Sequence, residues 1–285
     1  MHPTAAASRP AWLVALSGDG SRRRSPIEIV ATAATYVTRS PAAEVSGLRV
    51  GRFGRWADGV IALREDCAAF ASHWDAHNSR VLDESGPLWV VLGDSTAQGL
   101  GAPGPMGGYV GQVLDELRRQ TGQPWRVLNL SLSGALIRDV LRDQLPRIPA
   151  APDLVTCGIG ANDILYSAPA KLFGDLRALI DAVPGQTVLL DLPRPAGIWG
   201  IVGRASVPYV ARINQTIHRA CRARGLPVAE VSASFLPPWT GKFASDCFHP
   251  SQAGYRDWAD ALLAAIPSDL SGAWPAPRAG DAAAT

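Results

Sequence analysis

From residue 87 onward the chain alternates short apolar runs with apolar residues at helical spacing. Leu88-Trp89-Val90-Val91-Leu92 is followed by Val110, Val113, Leu114 and Leu117. A short unbroken apolar run suits a buried strand, whereas recurrence every three to four positions puts side chains on one face of a helix. The alternation predicts strands at 87–92, 126–131, 153–158, 187–191 and 227–231. Further helices are marked by Leu172, Leu176, Leu179 and Val183, then by Val207, Val210, Ile213, Ile217 and Cys221. Tyr255, Trp258, Leu262 and Ile266 mark the last, and a shorter one from about Ile137 to Leu145 links the second and third strands. Strands that alternate with helices in this way form a parallel sheet with crossover helices.

Ahead of the first strand, Trp56, Val60, Leu63, Cys67, Phe70 and Trp74 recur alternately four and three positions apart. That stripe predicts a long amphipathic helix, to be buried against the main domain or used as a lid, a dimer contact or a partner surface. Residues 1–25 and 267–285 are rich in Ala, Pro, Gly and Ser and are expected to be disordered. The chain therefore divides into a disordered start (1–25), an N-terminal helical extension (26–86), an α/β domain (87–266) and a disordered tail (267–285).

Composition narrows the partners. With 27 basic and 25 acidic residues and a net charge of +2, the chain offers no general field for a polyanion, which argues against nucleic acid. A hydrophobic fraction of 47% is enough for a sizeable core. Cys67, Cys157, Cys221 and Cys247 show no C-x-x-C spacing and read as free thiols, with Cys157 and Cys221 packed. His73 and His77 share a helix face without further ligands nearby, so no metal site is expected. No apolar run is long enough to span a bilayer, which leaves at most peripheral membrane contact. Arg22-Arg23-Arg24 precedes an apolar stretch that Glu28 interrupts. It reads as a basic surface segment rather than an export signal, favouring a cytoplasmic location over export or envelope association.

In parallel sheets ligands bind beyond the carboxyl ends of the strands, where strand order reverses. Three loops leave that edge here: Gly93-Asp94-Ser95, Ser131-Leu132-Ser133-Gly134, and Gly158-Ile159-Gly160-Ala161-Asn162-Asp163. A serine hydroxyl attacks an ester only if a base takes its proton and donors hold the developing oxyanion. Asp246 and His249, three residues apart before the last helix, supply an imidazole and a carboxylate to orient it. The oxyanion donors would be the backbone N–H of Ser95, the backbone N–H of Gly134 and the side-chain amide of Asn162. Taken singly, each of these residues has an ordinary explanation as a turn or cap. Jointly they do not, because all four motifs fall on one predicted edge. Asp94 and Asp163 are assigned to hydrogen bonding within their loops.

The four motifs, in this order, resemble the SGNH/GDSL hydrolase superfamily over roughly residues 87–266. Ser95 matches the GDS block, Gly134 the glycine block, Gly160 and Asn162 the G-x-N-D block, and Asp246 with His249 the D-x-x-H block. The resemblance implies a flavodoxin-like three-layer α/β/α sandwich with a five-stranded parallel sheet. It also implies hydrolysis of ester, thioester or sugar O-acyl bonds without a metal or other cofactor. The stretch before Ser95 has no counterpart in the minimal family core.

Two other readings compete. An acyltransferase or thioesterase would use the same residues. Gly99, Gly101 and Gly104 match the G-x-G-x-x-G spacing of a dinucleotide-binding oxidoreductase, but Pro103 and Pro105 stiffen that loop. No Asp or Glu lies between Glu116 and Asp139, where the ribose-binding acid should stand. These glycines are read instead as a flexible loop over the site. The expected substrate is a small-molecule, lipid or acylated-sugar ester. Ile198 and Trp199, on the loop after the fourth strand, are candidates for an acyl-chain wall, and Trp239 for lining the pocket.

Overall fold

A computed structural model of the chain describes residues 51–194 and 201–267, with side chains described for 66–194 and 206–267. The elements run α1 (Gly51–Val81), β1 (Leu88–Gly93), α2 (Ser95–Gln98), α3 (Tyr109–Thr121), β2 (Arg126–Asn129), α4 (Ile137–Asp139), β3 (Leu154–Gly158), α5 (Ala161–Tyr166), α6 (Pro169–Ala182), β4 (Thr187–Leu190), α7 (Ile201–Arg224), β5 (Val228–Ala229), α8 (Val231–Ser234) and α9 (Gln252–Ala265). All five strands pair in parallel in the order β2-β1-β3-β4-β5. Order reverses between β1 and β3, and the loops that follow those strands diverge there.

β1 is buried throughout, and its side chains alternate between the two faces of the sheet with the two-residue period of a strand. In β1, Trp89 and Val91 join a cluster with Tyr109 and Val113 of α3 and Trp258 and Leu262 of α9. Leu88, Val90 and Leu92 point the other way, onto Leu172, Leu176 and Leu179 of α6 and Ile213 and Ile217 of α7. The result is the three-layer α/β/α sandwich that the family resemblance implies, with an apolar core on each face of the sheet.

Three elements differ from expectation. β5 is only Val228–Ala229 rather than 227–231, because the chain turns at Glu230 and Val231 begins α8. β2 ends at Asn129 rather than 131, because the Asn129 side chain accepts from Ser131 N (3.1 Å) and Ser131 Oγ (2.5 Å) and turns the chain out of the sheet. The expected helix 137–145 is a single α-turn that runs into a π-turn over Val140–Gln144 and a 3₁₀ turn over Leu145–Arg147. The wider turn lets the Gln144 amide reach the backbone of Gly93, donating to its carbonyl and accepting from its N–H, both at 2.9 Å.

Helix α1 lies along the outer edge of β2. Asn78 donates to Asn129 O (2.6 Å) and accepts from Asn129 N (3.0 Å), while His77 Nε2 donates to Val127 O (2.9 Å). Side chains thus occupy backbone groups that an edge strand otherwise leaves open. Phe70 and Trp74, from the predicted stripe, are buried, with Cys67 partly so, and Trp74 joins the α3/α9 core. Trp56, Val60 and Leu63 lie outside the described side chains.

Candidate active site

The Ser95 turn follows from the end of β1. Asp94 caps α2: its Oδ1 accepts from Thr96 N (3.0 Å) and Thr96 Oγ1 (2.8 Å), which places Ser95 at the first helical position. Amides in a helix's first turn have no partner within the helix, so the Ser95 N–H is available beside its own hydroxyl. Gly99 ends the helix at φ +89, where a Cβ would stand 2.6 Å from Pro105 O. Burial pushes the Asp94 carboxyl above its usual range, against the opposing Thr96 bonds and the nearby His249.

Gly134 lies beyond β2 at φ +78, a left-handed conformation with open space on its Cβ side. Asn162 lies beyond β3 in the first turn of α5 and donates one amide hydrogen to Ala135 O at 3.0 Å. Its Nδ2 carries a second. Asp163, fully buried, accepts from Ile137 N (3.0 Å) and Ser167 Oγ (3.0 Å), joining this loop to the chain after Gly134. Desolvation raises the Asp163 carboxyl as well. Both Asp94 and Asp163 therefore do the hydrogen-bonding work expected of them.

His249 comes from the segment just before α9. Its Nε2 lies 2.8 Å from Ser95 Oγ and its Nδ1 2.7 Å from Asp246 Oδ2. The second Asp246 oxygen accepts from Phe248 N (3.0 Å) and His249 N (3.1 Å), so one carboxylate fixes both the backbone and the ring of the residue it serves. Asp246 is buried at 3% exposure, and a carboxylate there orients the imidazole without competition from water. Cys247, between them, sits exposed at φ +55.

The structure thus brings Ser95, His249 and Asp246 into one hydrogen-bonded row. Trp239 goes elsewhere: its ring packs on Phe235 (5.3 Å between centroids) and Phe243 (5.8 Å), beside the α3/α9 core. Trp199 and Ile198 lie outside the described residues. The G-x-G-x-x-G glycines have other work, since Gly99 ends a four-residue helix and Gly104 starts a 3₁₀ turn. Gly101 is closely packed rather than flexible, as a Cβ there would meet Pro250 O at 2.5 Å and His249 Cβ at 2.9 Å. Among the described residues, no cluster fit to hold a metal is present and no helix is long and apolar enough to cross a membrane. Sequence reasoning missed Gln98, Gln144 and Asn129, whose amides hold the loops. The one available signal was Asn129, a polar residue inside the apolar run Val127-Leu128-Asn129-Leu130.

A five-stranded, doubly wound parallel sheet with helices on both faces and a serine at its switch point, hydrogen-bonded to a histidine, defines a three-layer α/β/α fold of the SGNH hydrolase type. The family model described as "GDSL-like Lipase/Acylhydrolase family" matches residues 91–256, more than half the chain. The chain belongs to that family and is an ester-cleaving hydrolase. No curated protein matches it. Among solved structures it is similar to TesA, with 21% identity and TM-score 0.53 over 64% of this chain and 98% of that one. LAE5, an alpha/beta hydrolase enzyme from the metagenome of Lake Arreo, Spain, is 24% identical with TM-score 0.51 over 64% and 95%. A variant of Axe2, an acetyl xylan esterase from Geobacillus stearothermophilus, is 22% identical with TM-score 0.51 over the same shares. Likeness at these identities speaks to the fold.

Proposed function

We propose that the protein is a serine esterase that cleaves short- to medium-chain carboxylic esters, O-acetyl groups included, through an acyl-enzyme on Ser95. The observation that carries this reading is the row Ser95 Oγ, His249 Nε2, His249 Nδ1, Asp246 Oδ2, joined at 2.8 Å and 2.7 Å. His249 Nε2 takes the hydroxyl proton as Ser95 Oγ bonds to the ester carbonyl carbon. Asp246 accepts from Nδ1–H, which fixes the tautomer and stabilises the imidazolium. The carbonyl oxygen becomes an oxyanion facing the N–H groups of Ser95 and Gly134 and the second amide hydrogen of Asn162, each contributing about 3–4 kcal/mol. Collapse expels the alcohol, which receives the proton from Nε2. Water activated by the same imidazole then releases the acid and restores Ser95.

Two exposed apolar side chains support an acyl substituent. Leu132 (54% exposed) shares its loop with Gly134, and Tyr166 (44%) lies four residues after Asn162, on the same side of α5. Both offer apolar surface beside the oxyanion donors.

Fluorophosphonate labelling followed by peptide mapping tests the assignment: wild type should label on Ser95 and Ser95→Ala should neither label nor hydrolyse p-nitrophenyl acetate. Labelling that survived in Ser95→Ala would sink it. A panel of p-nitrophenyl esters, thioesters and acetylated sugars, run with and without an alcohol acceptor, separates esterase from thioesterase and acyltransferase.

A further inference from the structure

We propose that Gln98 is a positioning residue for this reaction, holding the Gly134 loop in register with Ser95, and that helix α1 is part of the same device through Trp74. The inference rests on the esterase reading above and extends it to residues outside the four motifs.

Gln98 is the last residue of α2 and only 2% exposed. Its Nε2 donates to Ser131 O (3.0 Å) and its Oε1 accepts from Ser133 Oγ (2.5 Å). Those two contacts bracket Leu132 and end one residue before Gly134. Two further bonds steady the loop: Leu132 N donates to Gly93 O (3.2 Å) and Ala135 N to Leu132 O (3.0 Å). Asn162 then donates to Ala135 O (3.0 Å). A continuous line of hydrogen bonds therefore runs from the turn that carries Ser95, through the residues flanking Gly134, to the side chain proposed as the third oxyanion donor.

The same residue is held from behind. A four-residue helix leaves its last carbonyls without intrahelical partners. Here distant side chains supply them: Asn129 Nδ2 donates to Ala97 O (2.9 Å) and Trp74 Nε1 to Gln98 O (3.0 Å). Trp74 belongs to α1 and is buried in the core, and Asn78, one turn later, pairs with the backbone of Asn129. Helix α1 thus supplies one of the two side chains that fix the end of α2 and holds the backbone of the other.

Burying an uncharged amide without partners is costly, so an apolar residue would be the simpler occupant of position 98. A fully bonded amide adds geometric definition instead. Definition matters at this place, because an oxyanion donor loses its effect when displaced by about 0.5 Å. Gly134, with open space on its Cβ side, has little packing of its own to hold it.

The test uses the full-length protein and begins with Ser95-dependent hydrolysis of p-nitrophenyl acetate; if wild type shows none, the esterase reading fails and this inference falls with it. Given that activity, Gln98→Met keeps the size and removes both bonds. The expected result is a fall in kcat of about 10- to 100-fold with KM within about threefold, as for loss of a transition-state donor. Leu179→Ala, a core truncation under α6, controls for lost stability: its melting temperature should fall while kcat stays at the wild-type value. Wild-type kcat in folded Gln98→Met, or an equal loss in Leu179→Ala, overturns the proposal. Should Gln98→Met fail to fold, Ser133→Ala and Trp74→Phe decide instead. A lowered kcat at unchanged KM in either supports it, and unchanged kcat in both refutes it.

Discussion

On one side of the Ser95–His249 hydrogen bond the backbone is held by side chains that come from far along the chain, and on the other it largely holds itself. The Ser95 turn depends on Gln144 for Gly93 and on Asn129 and Trp74 for the end of α2. The His249 segment depends on Asp246, three residues away, and on short backbone links: Ala244 N to His249 O (2.9 Å), Cys247 N to Ala244 O (3.0 Å) and Ser251 N to Lys242 O (2.9 Å). The contrast suits the proposed roles. A nucleophile must stay in register with two oxyanion donors on separate loops, so its support must span loops. A base has one proton to take and needs only a fixed ring and tautomer.

The largest expected effect removes the self-held side altogether. His249→Ala should lower kcat for p-nitrophenyl acetate by about 10⁴- to 10⁶-fold with little change in melting temperature, since the residue serves the reaction more than the fold. A loss under tenfold would show that the Ser95 hydroxyl is activated by something else. Asp246→Asn should cost somewhat less, about 10²- to 10⁴-fold, because the imidazole remains but can settle in the wrong tautomer. Asp246 also accepts from two backbone N–H groups, so this variant should lose stability as well as rate, which thermal unfolding would register.

Gly101 is where the two sides meet. Its φ of +93 disfavours any side chain, and a Cβ would press on Pro250 O and His249 Cβ. Gly101→Ala should therefore move the self-held turn as a unit, lowering kcat by about 10- to 100-fold and stability by about 1–2 kcal/mol. An unchanged rate would show that the turn absorbs the push. In that event its local bonds are stiffer than its contact with the Gly101 loop.

The same contrast decides what could be read from the sequence. Asp246 and His249 are legible because their partnership is local, and a spacing of three is itself the geometry. Strands β1 to β4 and both helical layers are legible because an unbroken apolar run such as Leu88–Leu92 is buried throughout, on both faces of the sheet, while the Leu172, Leu176, Leu179 stripe recurs at helical spacing. Gln98 and Gln144 carry no such mark. Gln98 meets Ser133 across 35 positions and Gln144 meets Gly93 across 51, and pairings that distant are fixed by strand order rather than by local spacing. The end of β2 was missed for a related reason. Asn129 sits within an apolar run, and only its turn-forming bonds to Ser131 end the strand.

The smallest expected effect concerns charge on the side held by distant partners. Gln98, Gln144, Asn129 and Asn78 are all neutral amides, whereas the cap that starts α2 is a carboxylate, Asp94, at 3% exposure. Burial raises its pKa above the ordinary 3.8, so desolvation outweighs the bonds from Thr96 and the pull of His249. The sign of the pH dependence follows. The folded state holds this proton more tightly than the unfolded one, so the group's contribution to stability is complete below pH 3.8 and is lost as pH rises through the raised value. Asp94→Asn keeps an Oδ1 to accept from Thr96 N and never ionises. It should therefore melt above wild type at pH 7, with the gap closing as the pH falls below that of an ordinary carboxylate. A constant gap across the range would mean that Asp94 binds its proton equally well in the folded and unfolded states. Desolvation would then no longer explain why uncharged amides do the rest of the work on this side.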